Sequence, residues 1–127
     1  MADWPHRLDH VGIPVRDLKR ARRFYAAALA PLDIELLSAS EAHAAFGTGH
    51  MPYLTLRLSM TTPAPVHLAF SADNRSQVDA FYRAAMAAGG VDHGAPGLRP
   101  AYHAHYYGAF VLDPDGHNIE VVKHQPE

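Results

Sequence analysis

The chain contains no cysteine. That excludes a disulfide framework and thiolate chemistry. It also lacks an excess of charge of one sign: 11 Lys and Arg against 13 Asp and Glu leave a net charge of -2. No basic stripe runs along it, so a nucleic-acid partner is not expected. No apolar run approaches the roughly 20 residues that a membrane-spanning helix requires. The N-terminal MADWPHR has no basic segment followed by an apolar one, so no secretory signal is read there. A soluble cytoplasmic protein without a membrane partner is the expectation. What is present is an ordinary hydrophobic content of 48%, in 127 residues with ten histidines. That is the length of one domain, 1–127. So many imidazoles make its charge sensitive to mildly acidic pH.

The chain repeats itself. HVGIPVRDLKRARRFYAAAL, from His10, is echoed without a gap by HLAFSADNRSQVDAFYRAAM, from His67. His10 falls on His67, Asp17 on Asn74, Phe24 on Phe81, Tyr25 on Tyr82 and Ala28 on Ala85. The two units, 8–60 and 65–124, are each short for an independent fold. In the first, Leu8 to Val15 reads as a strand. Asp17 stands at a helix N-cap, and Ala21, Phe24, Tyr25, Ala28 and Leu29 mark one helical face ended by Pro31. Strands follow over Ile34–Leu37, His43–Gly47 and Tyr53–Leu58. TTPAP, Thr61 to Pro65, is the linker. In the second unit the strand is Val66–Phe70. Asn74 is the N-cap with Gln77 at N3, and the helix ends at Gly89-Gly90. Val91–Tyr102 is rich in Gly and Pro and reads as a short strand at most, then a loop. Tyr106–Leu112 and Asn118–Val122 are strands joined by the turn Asp113-Pro114-Asp115-Gly116. The fold class is therefore α+β. Two βαβββ modules are expected to form an eight-stranded, incompletely closed barrel-like sheet, with helices outside and a cleft inside.

Three residues carry the expected chemistry. His10 and His67 are equivalent by the repeat, each in a strand-like apolar run. Glu120 lies in the final apolar strand, where a carboxylate without a partner is costly to bury. Two imidazoles and a carboxylate suit one divalent metal ion with open coordination positions. Matching the last strands of the two modules puts Thr55 where a second carboxylate would stand. Its hydroxyl could orient a water or substrate. The competing reading is that the histidines are hydrogen-bonded core residues. The phenylalanine–tyrosine pairs of the helices read as core, and Arg20, Arg22 and Arg23 as a solvated face.

Arg99 to Tyr107 is dense in polar aromatics and could line the mouth of the cleft. In that reading His105 carries protons and Tyr102 and Tyr107 donate hydrogen bonds to a developing oxyanion. Arg99 anchors an anion, and His103 and Tyr106 contact substrate. The alternative is a surface loop used for packing or a dimer contact. His6, His43, His50, His93, His117 and His124 show no spacing logic and read as surface residues.

LDHVGIPVRDLKRARRFY, VHLAF and AFVLDPDGHNIEVV together resemble the vicinal oxygen chelate superfamily, which holds the glyoxalases, bleomycin-resistance proteins and extradiol dioxygenases. The resemblance covers nearly the whole chain. It implies paired βαβββ modules, a homodimer, and metal ligands at His10, His67 and Glu120, with Fe, Zn, Ni or Mn as the ion. Glyoxalase I members usually carry a glutamate or glutamine where Thr55 stands, which argues against that isomerisation. Extradiol dioxygenases use the same ligand set in chains mostly twice as long. Bleomycin-binding members lack the triad. The resemblance thus implies a metal-dependent enzyme of dioxygenase, lyase or isomerase type acting on a small oxygen-bearing substrate. The alternatives are a protein that sequesters a small molecule without turnover, and a partner-binding module.

Overall fold

The computed structural model describes residues 7–127. Its elements run β1 (Val11–Val15), α1 (Leu18–Leu29), a 3-10 turn (Ala30–Leu32), β2 (Glu35–Ala39), β3 (His43–Thr48) and β4 (Met51–Leu58), then β5 (His67–Ser71), α2 (Arg75–Ala87), β6 (Val91–Leu98), β7 (Tyr107–Leu112) and β8 (Asn118–Lys123). The order is strand, helix and three strands, twice. The eight strands form two four-stranded mixed sheets, β1-β4-β3-β2 and β5-β8-β7-β6. Neither closes on itself, which gives the incompletely closed, barrel-like arrangement.

The helices start where side chains can cap them. Asp17 accepts from the Arg20 N–H at 3.1 Å and Asn74 from the Gln77 N–H at 2.9 Å. Gln77 answers by accepting from the Asp73 N–H, which nearly completes a capping box. In α1 the expected face is the buried one: Ala21, Phe24, Tyr25, Ala28 and Leu29 are all fully covered. In α2 only Val78, Phe81 and Ala85 are, while Tyr82 and Met86 lie half-buried at the margin of the core. Pro31 does not stop the chain at once. It sits inside the 3-10 turn, whose end is made by Asp33 in the left-handed region at φ 59°.

Each sheet gives one face to the helices. In the first, Ile13, Val15, Leu54, Leu56, Ala44 and Phe46 are buried there, whereas Gly12, Thr55 and Ala45 form a row on the other face. In the second, Leu68, Ile119 and Val111 share a row on the helix side, and Ala69, Glu120 and Phe110 form a row on the open side. β1 pairs with β4 through Gly12 and Thr55, and β5 with β8 through Ala69 and Glu120. Since Gly12 and Ala69 are equivalent in the repeat, Thr55 and Glu120 occupy the same place in the two modules.

Two sequence expectations change. Val91–Leu98 is a full eight-residue strand, not mainly a loop. Its Gly and Pro are absorbed by register shifts against β7, at which Gly94 takes φ +150°, a conformation that side chains rarely adopt. His117 is not a surface residue but is completely buried. Its Nδ1 accepts from the Val66 N–H at 3.0 Å and its Nε2 donates to the Pro14 carbonyl at 2.8 Å. It thereby ties the end of the linker to the first strand. Beside it, the Tyr25 hydroxyl donates to Asp113 at 2.5 Å, and the Arg16 N–H donates to Asp115 at 2.9 Å. The β7–β8 turn is thus fastened to the first module. His43, His50, His93 and His124 are exposed as expected, and His6 lies outside the described residues.

Candidate functional site

Glu120 is the origin of the site. It is only 2% exposed, yet the pleat of β8 directs it to the open side of the second sheet. A buried carboxylate needs donors, and it has two. The His67 Nε2 donates to Oε1 at 2.9 Å, and the Tyr106 hydroxyl donates to Oε2. His67 opens β5, and its side chain is half exposed, so the pair faces solvent on one side. The Tyr106 phenol is held well above its ordinary pKa. Burial is the main cause, followed by the hydrogen bond and charge of Glu120, with Arg99 pulling the other way.

Tyr106 reaches Glu120 because Gly108 leaves room. A Cβ there would stand 3.2 Å from the tyrosine Cε1 and 3.5 Å from Glu120 Oε2. Gly108 went unnoticed in the sequence, although a glycine inside the apolar run YYGAFVL is the signal of such a close approach. Phe110 was missed too. It pairs with Glu120 across the ladder, packs beside His67 and carries the Arg99 guanidinium over its ring at 5.6 Å.

The rest of the Arg99–Tyr107 segment divides. Tyr102 lies edge-on to Tyr106, with ring centroids 4.7 Å apart, and is itself exposed. The His103 Nδ1 accepts from the His105 N–H at 3.1 Å, so its Nε2 donates to His124 Nδ1 at 2.9 Å. His103 and His124 both pack against Tyr106. His105 contributes its backbone to this group and remains exposed. Tyr107 is turned away, because successive residues of a strand point to opposite faces. Its hydroxyl donates to Asp79 of α2 at 2.6 Å, and the Arg75 guanidinium lies 4.9 Å over its ring.

His10 and Thr55 belong to the other sheet. His10 precedes β1 rather than lying inside it. It is exposed, and its Nδ1 donates to Asp9 at 2.8 Å. It borders a cavity of about 330 Å³ between the edge strands β1 and β5, together with Tyr53, Leu68 and Phe70. Thr55 borders a second cavity of about 320 Å³ with Ser38, Ser40 and His43. Among the described residues, no three His, Asp or Glu side chains are grouped to hold a metal ion. The donor chemistry of His67 and Glu120 fits two ligand positions, a nitrogen and an oxygen 2.9 Å apart on an open face. His10, the expected third, is not brought to them within one chain.

Residues 7–121 match the family model of the Glyoxalase/Bleomycin resistance protein/Dioxygenase superfamily. The chain belongs to this superfamily. Among solved structures of the superfamily, a glyoxalase/bleomycin resistance protein from Albidiferax ferrireducens T118 is 29% identical, with a TM-score of 0.79, over 91% of this chain and 97% of that one. A glyoxalase/bleomycin resistance protein/dioxygenase family enzyme from Burkholderia phytofirmans PsJN is 22% identical, with a TM-score of 0.73, over 93% and 98%. A lactoylglutathione lyase from Agrobacterium tumefaciens is 20% identical, with a TM-score of 0.69, over 94% of each chain. The last two share the superfamily fold. No curated protein matches the chain. No helix among the described residues is long and apolar enough to cross a membrane.

Proposed function

We propose that the protein is a metal-dependent superfamily enzyme acting on a small oxygen-bearing molecule at the open face of the β5–β8 sheet. The observation that carries this reading is the pairing of His67 with the buried Glu120. A strand-centre carboxylate is retained at the cost of its desolvation, and its oxygens are offered toward an accessible imidazole. His67 and Glu120 would hold a divalent ion such as Fe, Zn, Ni or Mn, with His10 as the third ligand. When bound, such an ion polarises substrate oxygens and stabilises oxyanionic character. Tyr106 supplies a hydroxyl that stays protonated at neutral pH and can donate to substrate or back to Glu120. Tyr102 and His103 pack against Tyr106 and hold its ring in place.

The open faces of both sheets give the third ligand a route. In a homodimer, the β1–β4 sheet of one copy can cover the β5–β8 sheet of the other, carrying His10 and Thr55 over His67 and Glu120. The match to the first module of a second copy is the same that the repeat builds into one chain.

A second reading has a specific observation in its favour. Among the described residues only two ligand donors, His67 and Glu120, converge in one chain, which suits a binding protein that sequesters a small molecule without turnover. Metal analysis separates the two. Protein loaded with iron, manganese, nickel or zinc and freed of excess should retain about one ion per chain and melt at higher temperature. His67→Ala should lose both properties while keeping the native circular dichroism. No retained metal and no thermal shift would leave the binding protein as the function.

A further inference from the structure

Over Phe110 the site holds a cation that has no counter-ion among the described residues. Arg99 is half-buried where the chain leaves β6. Its guanidinium rests over the Phe110 ring, and one Nη2 hydrogen bond, at 2.6 Å, goes to the Ala95 carbonyl. No carboxylate lies within ion-pair distance: among the described residues the two such contacts are His10–Asp9 and His67–Glu120. A guanidinium carries five N–H donors, so most of this one's capacity is unspent. Solvent-facing arginines are common. This one is seated.

The seat is built by glycines. A Cβ on Gly94 would stand 3.2 Å from Nη2, and one on Gly97 would stand 3.1 Å from Nη1. Both β6 residues are therefore bare where the guanidinium lies. Gly94 pairs with Phe110, and Phe110 pairs with Glu120. Arg99 thus covers the same row of the open face that holds Glu120, with its charge felt by Tyr106 between them.

We propose that Arg99 is the anchor for an anionic group on the substrate, a carboxylate or a phosphoryl group. The substrate of this site is then a small anion whose reactive oxygens point toward His67, Glu120 and Tyr106. The planar fork fixes such a group through two parallel hydrogen bonds, which a lysine cannot reproduce. The aromatic walls of Phe110 and Tyr106 fit a flat or apolar body attached to it. This inference rests on the small-molecule reading of the site, but it does not depend on the metal.

The test uses the metal-free protein at about pH 8, above the reference pKa of a free imidazole. Benzoate, phenylphosphonate and the neutral isostere benzamide are titrated by calorimetry or by NMR shift perturbation. One of the two anions should bind at least about tenfold more tightly than benzamide, as expected for charge-assisted hydrogen bonds. Which of them does so identifies the group as carboxylate or phosphoryl. Arg99→Gln should abolish that preference, and Arg99→Lys should recover part of it. If Arg99→Gln fails to fold, Gly97→Ala serves instead: it keeps the charge, crowds Nη1 and should weaken anion binding. Equal binding of all three probes, no binding of either anion, or a preference that survives Arg99→Gln would overturn the proposal. Failure of the metal reading would show separately: the metal-loaded wild-type protein would retain no ion, while the metal-free protein would still prefer the anion.

Discussion

Single side chains decide how this fold tolerates its polar interior. Tyr25 is completely buried and gives its hydroxyl to Asp113, whose other oxygen receives the Asp115 and His117 N–H groups. Burial first, then the charge and hydrogen bond of Asp113, then the charge of Asp115, raise the Tyr25 phenol well above its ordinary pKa. Its contribution to stability is therefore complete below about pH 10, the value in the unfolded chain, and is lost as pH rises toward the folded value. Wild-type protein should lose urea resistance steeply above about pH 10. Tyr25→Phe should lose it more gently, since Tyr106 and Tyr107 still contribute the same sign. At pH 8 the variant should be about 1–2 kcal/mol less stable, because it leaves an Asp113 oxygen unpaired. Parallel pH profiles for the two proteins would contradict this account. None of this was legible in the sequence. Tyr25 is readable as core from its helical spacing, but Asp113 reads as an ordinary turn residue and His117 as a surface one. Their partners, Tyr25, Pro14 and Val66, lie tens of residues away, and burial of a polar group depends on partners rather than on its neighbours in sequence. Glu120 was legible for the opposite reason: its apolar strand neighbours exposed the anomaly locally.

Elements were readable where their signals are local. Both helices begin at the residues whose side chains can cap them, and their apolar spacing gave their buried faces. Asn74→Ala should therefore destabilise the protein by about 1 kcal/mol in urea titration, through the lost bond to the Gln77 N–H. Asn74→Asp should be neutral or slightly stabilising, because the carboxylate keeps the acceptor and suits the positive helix end. A loss as large for Asp as for Ala would show that Asn74 acts through something other than capping. β6 was unreadable for the reason the caps were readable. Its glycines and proline signal a turn locally, whereas β7 supplies a ladder that overrides them, with the mismatch released at register shifts. Those glycines also have a use that no propensity scale registers: two of them leave the bed in which Arg99 lies.

At the scale of the whole molecule, the repeat explains the strand order, the equivalence of Thr55 and Glu120, and the two open sheet faces. It does not say which two modules face each other. Within one chain the modules are joined through the helices and through the Tyr25, His117 and Arg16 contacts, and among the described residues no ladder links the sheets. The repeat makes His10 the counterpart of His67 in sequence, yet symmetry within a chain does not make the two meet. If the site combines His67 and Glu120 with the partner's His10, two inactive chains should complement each other. His10→Ala and Glu120→Ala homodimers should each fail to retain metal. In a heterodimer of the two, one site receives the intact His10 of the Glu120→Ala chain together with the intact His67 and Glu120 of the His10→Ala chain. The other site loses both ligands. Random pairing in a two-fold dimer should then restore metal to about a quarter of all sites. Metal content would be measured on heterodimers isolated through two different affinity tags, where the restored share should rise to about one site in two. No restoration, with dimers present by sedimentation, would place all the ligands in one chain and require the β1 and β5 edges of that chain to close on each other.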